Sequence, residues 1–329
     1  MKKLTVFLIL FIFINSSFSQ VKIILDTDFS GDADDLGALA MIHNFIDSKE
    51  CELLGIMSWS NEEYAVAGID AVNRFYKHPN IPIGNRKVPS HRQEWCYGKA
   101  IADQFPHALN NDKAMDATLL YRELLANSKD KSVTIVTIGP LKNIENLIHS
   151  LADTISNKSG KELITSKVKA FVIMGGQFPK GEKEWNFDGG MKGVTKFVIN
   201  NINEVPITFV GSEVGANVKT GEIFNSIEPK TPLYVGFMHF SKNAPWIKEK
   251  FRNRILDNST YDQLAVLYAV KNGVGKYWNK IEGGYCKPDD VGGNKWIQKK
   301  GHQQSYLKLL IGNEELATLV ESLMLNSKN

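Results

Sequence analysis

The chain has 329 residues, 43% apolar, 10% aromatic and 23% charged, a composition that excludes fibrous and disordered classes. Its formal charge of +3 comes from 39 Lys plus Arg against 36 Asp plus Glu, and Lys2 and Lys3 alone supply two of those units. A near-neutral body excludes the broad basic face of a nucleic-acid binder.

In chain order, residues 1–19 predict an export signal. Met1-Lys2-Lys3 is a cationic start, residues 4–14 are apolar apart from Thr5, and Ser17-Phe18-Ser19 supplies the small residues of a cleavage site. The apolar run is too short to span a bilayer. Cleavage after Ser19 would leave a mature domain over residues 20–329, exported to the periplasm or secreted, with no membrane anchor. No Cys stands at the cleavage point, which argues against a lipoprotein. Cys51, Cys96 and Cys286 are scattered and form no CxxC pair, so neither a disulfide framework nor a structural zinc site is expected.

Apolar runs at residues 21–25, 53–57, 133–138, 168–174 and 207–210 lack strict alternation, which suits strands buried on both faces. Between them, residues 36–46, 65–75, 114–125 and 141–151 carry apolar side chains three and four apart, the period of a helix. This βαβα order predicts one α/β domain, a doubly wound and mostly parallel sheet flanked by helices. Residues 283–301, rich in Gly, Lys and Asp, read as a loop or hairpin before a terminal helix over 314–325. No linker or internal repeat divides the chain. In such sheets ligands sit at the carboxyl ends of the strands, so the residues after each run are where function is sought.

One segment stands out there. Asp26-Thr27-Asp28-Phe29-Ser30-Gly31-Asp32-Ala33-Asp34-Asp35 follows the first strand directly. Carboxylates this dense repel one another unless a cation compensates them, and oxygen ligands point to a hard divalent metal. An EF-hand register from Asp26 places Asp28, Ser30, Gly31 and Asp34 correctly, but its twelfth position is Gly37, so the bidentate ligand is missing. The segment also resembles the start of the haloacid-dehalogenase phosphatases, with Asp26 as nucleophile, Asp28 as acid and Asp289-Asp290 as a late magnesium pair. That alternative leaves Asp34 and Asp35 without a role.

The segment and its continuation Leu36-Gly37-Ala38-Leu39 resemble the signature of the nucleoside hydrolase family, in the branch with the longer spacing between the second Asp and the final Asp pair. The ordered set continues with Ser60-Asn61 after the second strand and Ile138-Gly139-Pro140-Leu141-Lys142-Asn143 after the third. Met174-Gly175-Gly176 and Glu184-Trp185-Asn186 come next, and Tyr261-Asp262 closes the set at a helix start. Taken singly, Asn61 and Asn143 also read as helix caps, Glu184 as a solvated charge and Asp262 as an N-cap.

The resemblance implies a hydrolase that splits the N-glycosidic bond of ribonucleosides, a small-molecule substrate, with bound calcium (Ca2+). Its implied metal ligands are Asp28, Asp35, Asp262 and the Ile138 carbonyl. Asp28 is the implied general base on a calcium-bound water, Asp34, Asn61, Glu184 and Asn186 hold the sugar, and Asp26 supports the site from behind. The chain departs from the family where several members carry a His directly before the last Asp: Tyr261 stands there. Tyr261, Trp185 or Tyr64 would then stack on the base, favouring purines. Glu182 likewise stands where an Asn is expected. The preferred base, the leaving-group acid and the oligomeric state stay open, although subunits of this fold commonly pair.

Overall fold

A computed structural model describes residues 20–325; the leader expected at residues 1–19 lies outside them. The strands are β1 (Val21–Thr27), β2 (Cys51–Ser58), β3 (Ile83–Asn85), β4 (Met115–Asp116), β5 (Val133–Thr137), β6 (Val168–Met174), β7 (Lys180–Gly181), β8 (Ile207–Val210), β9 (Lys219–Thr220), β10 (Asn258–Ser259), β11 (Trp278–Pro288), β12 (Asn294–Gln298) and β13 (Gln304–Leu309). Eleven of them form one sheet in the order β4-β3-β2-β1-β5-β6-β8-β13-β11-β12-β7. From β4 to β13 every pairing is parallel, and β11, β12 and β7 add an antiparallel end.

The continuous apolar runs follow from this layering. In β1, Ile23 and Leu25 enter one core and Ile24 the other; in β5, Val136 and Ile135 divide the same way. Alternate side chains point to opposite faces, and both faces are covered by helices, so neighbouring positions are apolar without a polar alternation. The helix Asp34–Asp47 is buried from Asp34 through Phe45 and packs against the helices Asp262–Lys271 and Asn313–Leu325.

The observed elements extend or trim the sequence expectation for local reasons. The predicted helix at 114–125 starts at Ala117, because the Asp116 carboxylate caps it, accepting from Thr118 N at 2.8 Å and Leu119 N at 3.1 Å. The helix predicted over 141–151 spans Lys142–His149, with extended backbone at Ser150. The hairpin expected at 283–301 is β11 and β12, beginning earlier at Trp278. The helix Pro232–Asn243, with Thr231 as N-cap, has no counterpart in the sequence reading.

Because the first strands are parallel, β1, β2, β5, β6 and β8 all end on one side of the sheet. β1 lies between β2 and β5, so the residues that follow it are central. The ribbon of β9 and β10, tied by a 2.8 Å contact between the Thr220 and Thr260 hydroxyls, delivers Tyr261 and Asp262 to the same side.

Candidate active site

A cavity of about 760 Å³ opens at these strand ends. Asp28, Asp34, Asp35, Asn61, Ile138, Glu184, Asn186, Tyr261 and Asp262 all line it, so every site residue expected from the sequence is brought to one place.

Asp34 and Asp35 occupy the first turn of the helix Asp34–Asp47, and Asp262 opens the helix Asp262–Lys271. The three buried side chains offer carboxylate oxygens within 4.8 Å of one another. Burial pushes each carboxyl well above the usual range, and the neighbouring aspartates push it further. Two helix N-termini partly offset this crowding. Buried, hard and oxygen-only, the set fits a divalent cation. Asp34, which the resemblance assigns to the sugar, thus also stands among the groups able to hold a metal.

Asp28 differs. Its Oδ2 accepts the Trp185 indole N–H at 3.0 Å, and burial raises its pKa to about 7 against the pull of that bond. The peptide after β5 presses on it from the other side. A Cβ at Gly139 would lie 2.8 Å from Asp28 N and 2.9 Å from Asp28 Oδ1, so this approach requires glycine, and the neighbouring Ile138 lines the cavity.

The loop between them is held under tension. Ser30 has φ of 98°, a region that non-glycine residues rarely adopt. Its hydroxyl donates to Glu62 Oε2 at 2.9 Å and accepts from Gly98 N at 3.0 Å, while its carbonyl accepts from Tyr97 N at 3.0 Å. Thr27 Oγ1 donates to Asp35 Oδ1, and Asn258 Nδ2 to Asp32 Oδ1.

Asp26 is behind the site, away from the cavity wall. Its carboxylate accepts from the Tyr121 hydroxyl at 2.8 Å and Asn143 Nδ2 at 3.0 Å, and its carbonyl from Ile138 N at 2.7 Å. Burial nevertheless raises its pKa to about 7. Asn143 is therefore a clamp on Asp26, not a helix cap. This arrangement corrects the phosphatase alternative: the intended nucleophile faces no substrate space. Asp289 is consumed by Val291 N and Gly293 N, both at 2.8 Å, and Asp290 pairs with Lys196 at 3.1 Å.

Glu184 is a half-buried N-cap, not a solvated charge. Its Oε1 accepts from Asn186 N at 3.0 Å, and Oε2 from Phe187 N at 3.0 Å and Gly176 N at 2.8 Å. Burial raises its pKa while those donors oppose the rise. Asn186 Nδ2 donates to Met174 O at 3.2 Å, and Asn61 Nδ2 to Pro89 O at 2.9 Å. These amide donors fix the cavity wall.

The sequence reading missed much of the outer wall. Trp59, Trp95 and Trp246 line the cavity, as does Glu62; His91, whose polar loop makes it a candidate to face the pocket, lines it too, while Tyr64 is not among the lining residues. Trp95 and Trp246 lie in polar loops, and a large aromatic in such a loop is the one signal the sequence offers.

A carboxylate cluster at strand ends beneath an aromatic-walled cavity has the layout of a metal-assisted hydrolase acting on a ring-bearing small molecule. The inosine-uridine preferring nucleoside hydrolase family model matches residues 23–304, and the chain belongs to that family. No curated protein matches it. Among solved structures, an inosine-guanosine nucleoside hydrolase is similar at 17% identity and a TM-score of 0.66, covering 92% of this chain and 98% of its own. A plant nucleoside hydrolase gives 17% and 0.64 over the same shares. The inosine-uridine preferring nucleoside hydrolase of Bacillus anthracis gives 13% and 0.61, again over 92% and 98%. These likenesses share the fold. The chain is a nucleosidase, an enzyme that hydrolyses the N-glycosidic bond of small-molecule ribonucleosides with a metal-dependent family chemistry.

Proposed function

We propose that this nucleosidase works with calcium, held by Asp28, Asp35, Asp262 and the Ile138 carbonyl, with Asp34 beside them. The observation that carries this reading is the buried oxygen-only trio of Asp34, Asp35 and Asp262. Calcium favours oxygen ligands in flexible, high-coordination shells, and when bound it supplies positive charge and orientation for sugar and water together.

The chain's own residues do the remainder. Asp28 takes a proton from the attacking water, since its carboxylate faces the cavity. Asp34 accepts hydrogen bonds from ribose hydroxyls. Glu184, Asn186 and Asn61 hold the wall that shapes the ribose subsite, their side chains already engaged with backbone. Tyr261, half-buried in the wall, contributes shape and stacking to the base subsite, and burial raises its phenol above its ordinary pKa. The transition state carries oxocarbenium character, which surrounding carboxylates favour.

Export belongs to this reading and is supported by the cationic start and apolar run of residues 1–19; N-terminal sequencing of the protein recovered outside the cytoplasm tests cleavage after Ser19. No helix among the described residues is long and apolar enough to cross a membrane. For the chemistry, free base is measured from inosine and uridine after chelation and after return of calcium or magnesium. Activity restored by calcium, and lost in Asp262→Asn together with calcium binding, is expected. Full turnover in the chelated enzyme overturns the metal assignment.

A further inference from the structure

The cavity joins two kinds of wall. Its inner part is carboxylate; its outer part is indole, from Trp59, Trp95, Trp185 and Trp246. Trp95 and Trp246 meet edge to face with centroids 5.0 Å apart, and Trp246 is braced on Phe240 at 5.8 Å. Trp185 and Trp246 remain 60% and 56% exposed, so large aromatic rings are left open at the mouth.

Charge at this site is one-sided. Seven carboxyl groups line the cavity. Lys183 is the one Lys or Arg among the described lining residues, and it is tied to Asp188 at 3.2 Å. Aromatic faces and fixed carboxylates both attract cations. Trp59 already displays this preference, with the Arg86 guanidinium 4.6 Å from its ring centroid. The inner wall carries no imidazole: His91, the one His among the described lining residues, is exposed.

A neutral purine or pyrimidine must gain a proton, or leave as an anion, when its bond to ribose breaks. A pyridinium ring needs neither, because it departs neutral. We propose that the cavity is built for cationic N-ribosides of the ribosylpyridinium type, hydrolysed in preference to neutral nucleosides; this rests on the nucleosidase reading above. The C1′–N bond breaks with its electron pair retained by the ring nitrogen, whose positive charge is thereby cancelled. The water oxygen bonds to C1′ as Asp28 takes its proton, which then passes to solvent. The products are ribose, a neutral pyridine and one proton. Indole faces hold the cationic ring before the bond breaks.

The test compares release of nicotinamide from nicotinamide riboside with release of hypoxanthine from inosine, in the full chain with calcium. A kcat/KM ratio of about tenfold or more in favour of the pyridinium is expected, the scale of a desolvated cation held on an aromatic face. A second measurement isolates charge from shape: N-methylnicotinamide cation and neutral nicotinamide as competitive inhibitors of inosine hydrolysis. The cation should bind at least tenfold more tightly, with the gap narrowing in Trp246→Leu. Hydrolysis of inosine with a smaller ratio, or equal inhibition by both rings, overturns the proposal while leaving the nucleosidase reading intact. No base released from either riboside by folded, calcium-bound protein overturns both.

Discussion

The Trp185 indole N–H donates to Asp28 Oδ2 at 3.0 Å, so an exposed ring at the cavity mouth holds the carboxylate proposed as the base. The bond favours the ionised form of Asp28, opposing the burial that raises its pKa to about 7. Trp185→Phe keeps an aromatic ring and deletes the donor. The acid limb of the kcat/KM profile should then move to higher pH, costing about tenfold near pH 6, the low end for a hydrogen bond to a charged group, and little near pH 9. An unshifted acid limb would show that the contact does not tune the base.

Gly139→Ala probes the opposite side of Asp28. The added methyl would meet Asp28 N at 2.8 Å and Oδ1 at 2.9 Å, and backbone cannot yield as a side-chain tip can. Overpacking costs about 1–3 kcal/mol, so the variant should fold with a lowered Tm. Turnover should fall more than a hundredfold, because Asp28 and the Ile138 carbonyl shift together. Thermal melting and kcat on the same preparation check this; near-normal turnover with a lowered Tm would refute it.

Stability should depend on pH in a direction opposite to that of paired surface carboxylates. Asp26 and Asp28 titrate near 7 and Asp32 near 6 in the folded chain, each raised from 3.8 mainly by burial. Between about pH 4 and 7 the folded state therefore binds more protons than the unfolded one, and stability falls as pH rises through that window. Metal-free protein is expected to melt lower at pH 8 than at pH 5. Calcium at a hundred times its Kd should add about 2.7 kcal/mol, with a larger rise in Tm at pH 8, where no protons compete. Scanning calorimetry at both pH values, with chelator and with calcium, decides it; a larger calcium effect at pH 5 would contradict the assignment.

Ser30 separates backbone strain from hydrogen bonding. At φ of 98° a glycine is more comfortable than serine, but the hydroxyl links Glu62 to Gly98 N. Ser30→Ala keeps the strain and loses both bonds, for an expected cost of about 1–3 kcal/mol. Ser30→Gly loses the bonds but relieves the backbone, so it should melt above Ser30→Ala. The reverse order in a denaturant titration would mean that the loop is not strained.

Much of the frame is legible in the amino-acid sequence. Two-sided burial leaves apolar runs without strict alternation in β1, β5, β6 and β8, and the aspartate run after β1 is conspicuous because crowded carboxylates demand compensation. What escapes is set by contacts between distant segments. Glu184 looks like a loop charge until Gly176 N, Asn186 N and Phe187 N are seen converging on it. Asn143 resembles a cap until its amide is found on Asp26. Trp95 and Trp246 carry no periodic signal at all, since irregular loops bring them together. The helix Pro232–Asn243 is apolar on much of its surface, so it lacks a clean amphipathic stripe.

The carboxylates and the tryptophans hang from different parts of the molecule. Asp28, Asp34, Asp35 and Asp262 are rooted in β1 and two buried helices, whereas Trp95, Trp185 and Trp246 belong to connecting segments and a single helical turn over the opening. Altering Trp95 or Trp246 leaves the buried helices and Asp28 in place, while moving an aspartate disturbs the middle of the sheet. Sequence drift at those two rings in descendants of this chain would accordingly change which leaving group is welcomed long before it changed which bond is cut, and a laboratory seeking new substrates would begin at positions 95 and 246, leaving the Trp185 bond to Asp28 intact.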